Sequence, residues 1–335
     1  MDLVPDPETS IMRKSILEFP RQFEFEPVIA NADKFRRSPH VIVCGMGGSH
    51  LAGDFLNPIE PEINLRVWSD YGLPPVPEDE LQDSLIIVSS YSGNTEETLD
   101  AYRAARERGL SLAAVAVGGK LLELAKKDGV PYVQLPDTGI QPRMALGFSL
   151  RAMLALIGDQ DGLQGTRGLA QDLPAEVLES EGRDLAKWLK NYVPVVYASD
   201  SNRSLAYYWK ITLNETGKIP AFYNVLPELN HNEMNGFDVK SGSRPLAQNF
   251  AFIFLSDTDD HPLVQKRMAI LKSMYQDRKL PVRTIPLVGQ TKYHKLFTSV
   301  LLAIWTAFCV AEQYGLEPEQ VPMVEEFKRL VTTDR

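Results

Sequence analysis

Two short segments of this sequence are dense in groups that hold an anion. Gly45-Met46-Gly47-Gly48-Ser49 and Ser89-Ser90-Tyr91-Ser92-Gly93-Asn94-Thr95 combine glycines, which let backbone N–H groups approach a ligand, with hydroxyl donors. In the second segment Ser90, Ser92 and Thr95 surround a turn, and Glu96-Glu97-Thr98-Leu99 then opens a helical pattern with acidic residues in its first turn. A helix N-terminus with unpaired N–H groups and nearby hydroxyls binds a phosphate dianion without needing net positive charge. That property matters here, because the 335 residues carry a formal net charge of −9, a field that repels phosphate and nucleic acid at long range. The expected ligand is a small phosphorylated molecule bound by a locally built site, and nucleic acid is not an expected partner. Either loop alone reads equally well as a tight turn or a helix cap; the pair is the stronger signal. A dinucleotide site is disfavoured, since Gly45-x-Gly47-Gly48 lacks the third glycine at its offset, and no Gly-Lys-Ser/Thr marks a P-loop.

Each loop follows a short β-branched run, at residues 40–44 and 84–89. Similar runs at 64–68, 111–117 and 131–135 alternate with turns and helical patterns. After a charged helical stretch at 166–190 the theme restarts with strands expected at 193–200, 250–255 and 282–287, and helices at 262–278 and 292–314. This alternation predicts an α/β fold of mostly parallel sheets flanked by helices, with ligands beyond the carboxyl ends of the strands. A chain of this length exceeds one ordinary core, so two domains are expected, 1–155 carrying the phosphate-binding loops and 156–335 following. Element order suggests that both halves share one architecture.

The remaining composition narrows the function classes. Cys44 and Cys309 form no metal or disulfide spacing and read as core residues. His40, His50, His261 and His294 stand at no metal-ligand spacing and without carboxylates at recognisable offsets, so they read as structural; no metal and no cofactor are expected. Glu96 and Glu97 point apart on a helix and serve its dipole, and Tyr207-Tyr208-Trp209 reads as packing. The start, Met1 to Asp6, has no secretory pattern. The most apolar stretch, 297–311, is interrupted by Thr298, Ser299 and Thr306 and reads as a buried helix, so a cytoplasmic protein without membrane contact is expected.

Six motifs in order resemble the sugar isomerase (SIS) domain family, and within it the bifunctional phosphoglucose/phosphomannose isomerases. They are Gly45–Ser49, Ser69-Asp70-Tyr71, Ser90–Thr98, Pro142-Arg143-Met144-Ala145-Leu146-Gly147, Asn214-Glu215-Thr216-Gly217-Lys218 and Glu228-Leu229-Asn230-His231-Asn232-Glu233. The resemblance implies two SIS-type α/β domains and a homodimer that shares active-site residues across its interface. It implies that Ser49, Ser90, Ser92 and Thr95 bind phosphate, that Gly47 and Gly48 line the sugar, and that Arg143 sits beside the reacting carbons. It further implies that Glu215 is the catalytic base, with His231 and Lys328 acting at the ring oxygen, the last three belonging to the C-terminal domain.

The implied chemistry is aldose–ketose isomerisation of hexose 6-phosphates through a cis-enediolate, between glucose 6-phosphate and fructose 6-phosphate, with mannose 6-phosphate as a further candidate. A carboxylate that carries the proton and an arginine that steadies the oxyanion suit this reaction, and a histidine titrates in the range needed to open the sugar ring. The weighed alternative is a non-catalytic SIS module that senses a sugar phosphate; Glu215 and His231 would be superfluous in it.

Overall fold

The computed structural model describes residues 10–333; the start at Met1 to Asp6 lies outside them. Its contacts divide the described residues into two compact units, one of residues 18–173 and 290–294, the other of residues 10–17, 174–289 and 295–333. The expected boundary at 155/156 falls inside the helix Leu146–Ile157, which is buried along nearly its whole length, and the division comes instead after residue 173.

The first unit holds a six-stranded sheet of β1 (Ile29–Ala30), β2 (His40–Gly45), β3 (Asn64–Trp68), β4 (Ser84–Ser89), β5 (Ser111–Ala116) and β6 (Tyr132–Gln134). Its order is β1-β6-β5-β4-β2-β3, parallel except for the short β1 at the edge. Every residue of β4 is buried, the continuous apolar run that a parallel strand covered on both faces requires. Ile86, Val88, Ala101, Tyr102, Ala114 and Leu121 form the core between this sheet and the helices Glu96–Glu107 and Gly119–Asp128.

The second unit holds the parallel sheet β10-β9-β7-β8, built of β7 (Val193–Ser199), β8 (Phe222–Leu226), β9 (Phe250–Ser256) and β10 (Val282–Pro286). Phe252, Tyr197, Phe254 and Tyr275 make an aromatic core beneath the helix Pro262–Asp277. Tyr208 and Trp209 are fully buried, and Trp209 Nε1 donates to Ser299 Oγ at 3.0 Å, as expected of packing residues. The helix Lys292–Gln313 is long and apolar enough to cross a bilayer, but 89% of its most apolar window is buried inside the protein. Cys44 and Cys309 are buried, and desolvation pushes both thiols up to about 12, so neither ionises at neutral pH.

Two expectations need correction. The stretch 166–190 is not one helix: Gly168 parts the helices Gln160–Arg167 and Leu169–Asp172, and Leu173-Pro174, where proline lacks the N–H and keeps its predecessor extended, parts these from Leu178–Trp188. His50 does have a carboxylate partner, Asp54, one helical turn on, with Nδ1 2.6 Å from Oδ2.

Beyond the carboxyl end of β9, Lys295 donates to Asp257 at 2.8 Å and to Asp259 at 2.6 Å, and Asn202 Nδ2 reaches Asp257 and Asp260. Burial raises the Asp257 carboxyl, but bonds from Lys295 and from the Asp259 N–H outweigh it and hold the group below the usual range. The pair therefore adds stability above about pH 4, which is lost as pH falls through the depressed value. Lys295→Met should cost about 2–3 kcal/mol at pH 7, somewhat under the figure for a fully buried pair. In urea titrations the gap to wild type should close below about pH 4, where the orphaned aspartate protonates.

Candidate active site

In an open parallel sheet, a crevice forms where successive connections leave in opposite directions. From β2 the chain moves to β3 on one side, and from β4 to β5 on the other, so the crevice of the first unit lies between β2 and β4. Their register pairs Gly45 with Ser89. Both glycine- and hydroxyl-rich segments therefore begin side by side, at the carboxyl ends of adjacent strands.

Hydrogen bonds join the two loops. Ser89 Oγ donates to the Ser49 carbonyl at 2.8 Å, and the Tyr91 N–H donates to Ser49 Oγ at 2.9 Å. Ser90 Oγ accepts from the Gly93 N–H at 3.1 Å and lies 2.9 Å from Thr95 Oγ1. Thr95 is the N-cap of the helix Glu96–Glu107, yet its hydroxyl turns to Ser90 and makes no capping bond. That leaves the terminus suited to an external anion. Ser49 and Ser90 are buried, whereas Ser92 is exposed and accepts from the Asn94 N–H at 3.3 Å. Gly47 adopts a left-handed φ of 53° with open space where a side chain would stand.

Arg143 joins this group from the turn Pro142–Met144. It is 2% exposed, and a Cβ on Gly48 would come within 2.8 Å of its backbone N, so only glycine permits the approach. Gln22, buried, holds the turn from both sides: Nε2 donates to the Met144 carbonyl at 2.7 Å and Oε1 accepts from the Gly147 N–H at 2.9 Å. Gly48, Ser49, Ser90, Thr95 and Arg143 thus meet within one unit.

A third glycine turn, which no local motif announced, supports the Ser90–Thr95 loop. Gly93 has φ 73°, and a Cβ there would lie 1.9 Å from the Gly118 carbonyl oxygen; a Cβ on Gly119 would lie 2.3 Å from that of Ser92. The available signal is a Gly118-Gly119-Lys120 run directly after β5. Gly93→Ala should cost at least roughly 1–3 kcal/mol from the left-handed conformation alone. Because the clash is with backbone, the loop must shift, and thermal unfolding together with a KM raised about tenfold or more for the phosphorylated ligand would record it.

The second unit has the corresponding crevice between β7 and β9, and there Asp257, Asp260, Asn202 and Lys295 fill the space with carboxylates and their own cation. An incoming phosphate would meet like charge. This unit instead carries Glu215, His231 and Lys328. Glu215 ends the helix Arg203–Glu215, and the Lys218 ammonium donates to its backbone carbonyl and to that of Gln320. Nothing in the sequence alone marked Lys218 for this role.

His231 ends the turn Glu228–His231, beyond the carboxyl end of β8. The helix Arg203–Glu215 runs back from the carboxyl end of β7 to the start of β8, about 20 Å at 1.5 Å per residue. Glu215 and His231, close in sequence, therefore lie at opposite ends of their sheet. Lys328 pairs with Glu325 at 2.8 Å on the helix Pro322–Thr333, whose residues through Val331 are exposed, Met323 by 82% and Phe327 by 66%.

Residues 178–331 match the family model described as bacterial phospho-glucose isomerase C-terminal SIS domain. The chain is 34% identical over 322 residues to a bifunctional phosphoglucose/phosphomannose isomerase of Aquifex aeolicus, covering 94% of this chain and 96% of the relative. It is 32% identical over 338 residues to the protein of that name from Caldicellulosiruptor bescii, covering 95% and 98%. The fold is similar to the crystal structure of a hypothetical protein from Thermus thermophilus, with a TM-score of 0.70 at 16% identity over 96% of this chain and 88% of that one.

Proposed function

Because the chain belongs to the bifunctional phosphoglucose/phosphomannose isomerase family, we propose that it interconverts glucose 6-phosphate, fructose 6-phosphate and mannose 6-phosphate by proton transfer between C1 and C2. The observation that carries this reading is the pairing of Gly45 with Ser89, which sets two hydroxyl loops side by side with Arg143 against Gly48. That cluster offers a phosphate its donors and an enediolate its cation in one crevice.

In this reading Ser49, Ser90, Ser92 and Thr95 hold the phosphate, and Gly47 and Gly48 leave room for the sugar. His231 and Lys328 open the ring, giving a proton to the ring oxygen and taking one from the anomeric hydroxyl. Glu215 then removes the proton from C2 of the aldose and returns it to C1, while Arg143 balances the charge that develops on the two oxygens. No cofactor or metal is required, and the protein acts in the cytoplasm.

Two features favour a homodimer with shared sites. Glu215 and His231 lie at opposite ends of one sheet, too far apart to serve one hexose from the same copy. The helix that bears Lys328 exposes Met323, Phe327 and Leu330, an apolar face that a second copy would cover.

The test is to incubate the protein with each hexose phosphate in deuterated water and follow C1 and C2 by proton NMR. Interconversion with deuterium entering at C2 supports the isomerase. Binding without exchange would replace it by the sugar-phosphate sensor, and exchange that spares mannose 6-phosphate would confine the substrates to the other two.

A further inference from the structure

The role proposed for His231 raises the question of what holds its imidazole in place, and the inference here rests on that role. Among the described residues the His231 side chain has no hydrogen-bond partner, and the residue is exposed. Neither polar neighbour turns toward it. Asn232 Oδ1 accepts from the Glu233 N–H at 2.6 Å, and its amide donates to Glu228 Oε1 at 2.8 Å.

Glu233 faces inward. Its Oε1 accepts from Tyr197 Oη at 2.5 Å and its Oε2 from Asn224 Nδ2 at 2.5 Å, while Tyr197 Oη lies 3.4 Å from Tyr275 Oη. Tyr197 and Tyr275 are 0% and 2% exposed. One carboxyl group thus ties β7, β8 and the helix Pro262–Asp277 to a surface turn through short bonds. Leu229, fully buried, fixes the same turn on its other side, and Phe237 follows with its ring 4.8 Å from that of Phe252. His231 stands at the apex between the two anchors.

We propose that Glu233, clamped by Tyr197 and Asn224, is the positioning residue that fixes the 229–233 turn and thereby aims the His231 imidazole at the sugar ring. It touches no substrate and transfers no proton. Its contribution is geometric: a catalytic group displaced by about 1 Å loses roughly 10²-fold in rate.

The polarity of the clamp supplies the test. In Glu233→Gln the clamp weakens: the new amide nitrogen either faces that of Asn224, donor against donor, or turns to Tyr197 Oη, which must then accept instead of donating, and in both poses the charge-assisted bond to Asn224 is lost. Adding Asn224→Asp restores it with inverted polarity and unchanged total charge, and the aspartate can still accept from the Val225 N–H as Asn224 does at 2.8 Å. Ring opening is read as enzyme-catalysed anomer exchange of glucose 6-phosphate by NMR, alongside steady-state kinetics and thermal unfolding. Glu233→Gln should lower kcat and anomer exchange about 10–10²-fold with KM within about threefold, and the double variant should recover most of both. A folded Glu233→Gln protein at the wild-type rate, or a folded double variant without recovery, would overturn the clamp. Should Glu233→Gln not fold, Tyr197→Phe removes one arm while keeping the ring; a rate unchanged there overturns the proposal equally. His231→Asn is the control: full anomer exchange in that variant would reject the role of His231 itself, whereas loss there with an intact Glu233→Gln rejects only the positioning.

Discussion

Glu215→Gln is expected to lower the C1–C2 proton transfer by about 10²–10⁴-fold, the usual worth of a positioned acid–base group. The substitution is nearly isosteric, and the Lys218 Nζ bond at this end of the helix goes to the backbone carbonyl, which glutamine retains. Thermal stability should therefore stay close to wild type, so that the loss reads as chemistry. Deuterium incorporation at C2 should vanish while anomer exchange, proposed for His231, persists. Such a split would separate the two steps and the two ends of the sheet on which their residues stand. Glu215→Asp, which withdraws the carboxylate by about 1 Å, should fall between, near roughly 10²-fold below wild type. Equal loss of both exchanges in Glu215→Gln would instead mean that one residue serves both steps.

Much of the fold is legible in the sequence because parallel strands covered on both faces read as continuous apolar runs. β2, β4, β5, β7 and β9 announce themselves this way. The strands that escape notice are edges: β1 has two residues, and β8, Phe-Tyr-Asn-Val-Leu between prolines, buries only its last two. Their placement comes from pairing with distant strands, for which a local pattern holds no signal. The first crevice was legible for a different reason. Glycine and hydroxyl requirements are imposed locally by backbone geometry, so Gly47, Ser90 and Thr95 stand out wherever the strands end up.

Contacts between distant segments leave no such trace. Gln22 bracing the Arg143 turn, and Tyr197 reaching Glu233, join residues far apart in the chain. The reverse error also occurs: Glu215 and His231 look like neighbours in sequence, but the strand β8 between them carries the chain from one end of the sheet to the other. His50 and Asp54 stand four residues apart, an offset that pairs them only once the helix Leu51–Ile59 is known to begin there.

Arg143→Lys is expected to lower kcat by about 10²–10³-fold, comparable to the loss of one oxyanion-stabilising donor, with a smaller effect on KM. Charge alone predicts tolerance, since both residues carry one positive charge. Geometry predicts otherwise. Arginine spreads its charge over a planar fork of five donors, which can meet both oxygens of a cis-enediolate at once; lysine offers a compact point charge on a flexible stem. The burial of Arg143, at 2% exposure, and the close approach of Gly48 to its backbone leave little freedom for a lysine to search for a compensating pose. In the proposed reading the hydroxyl loops hold the phosphate, so ground-state binding should survive while the charged intermediate loses its partner. The measurement is kcat and KM with fructose 6-phosphate, together with affinity for a competitive sugar-phosphate acid that resembles the enediolate. Affinity for that analogue should fall in step with kcat. If instead KM rises in proportion and kcat holds, Arg143 belongs to substrate binding, and the oxyanion must find its cation elsewhere.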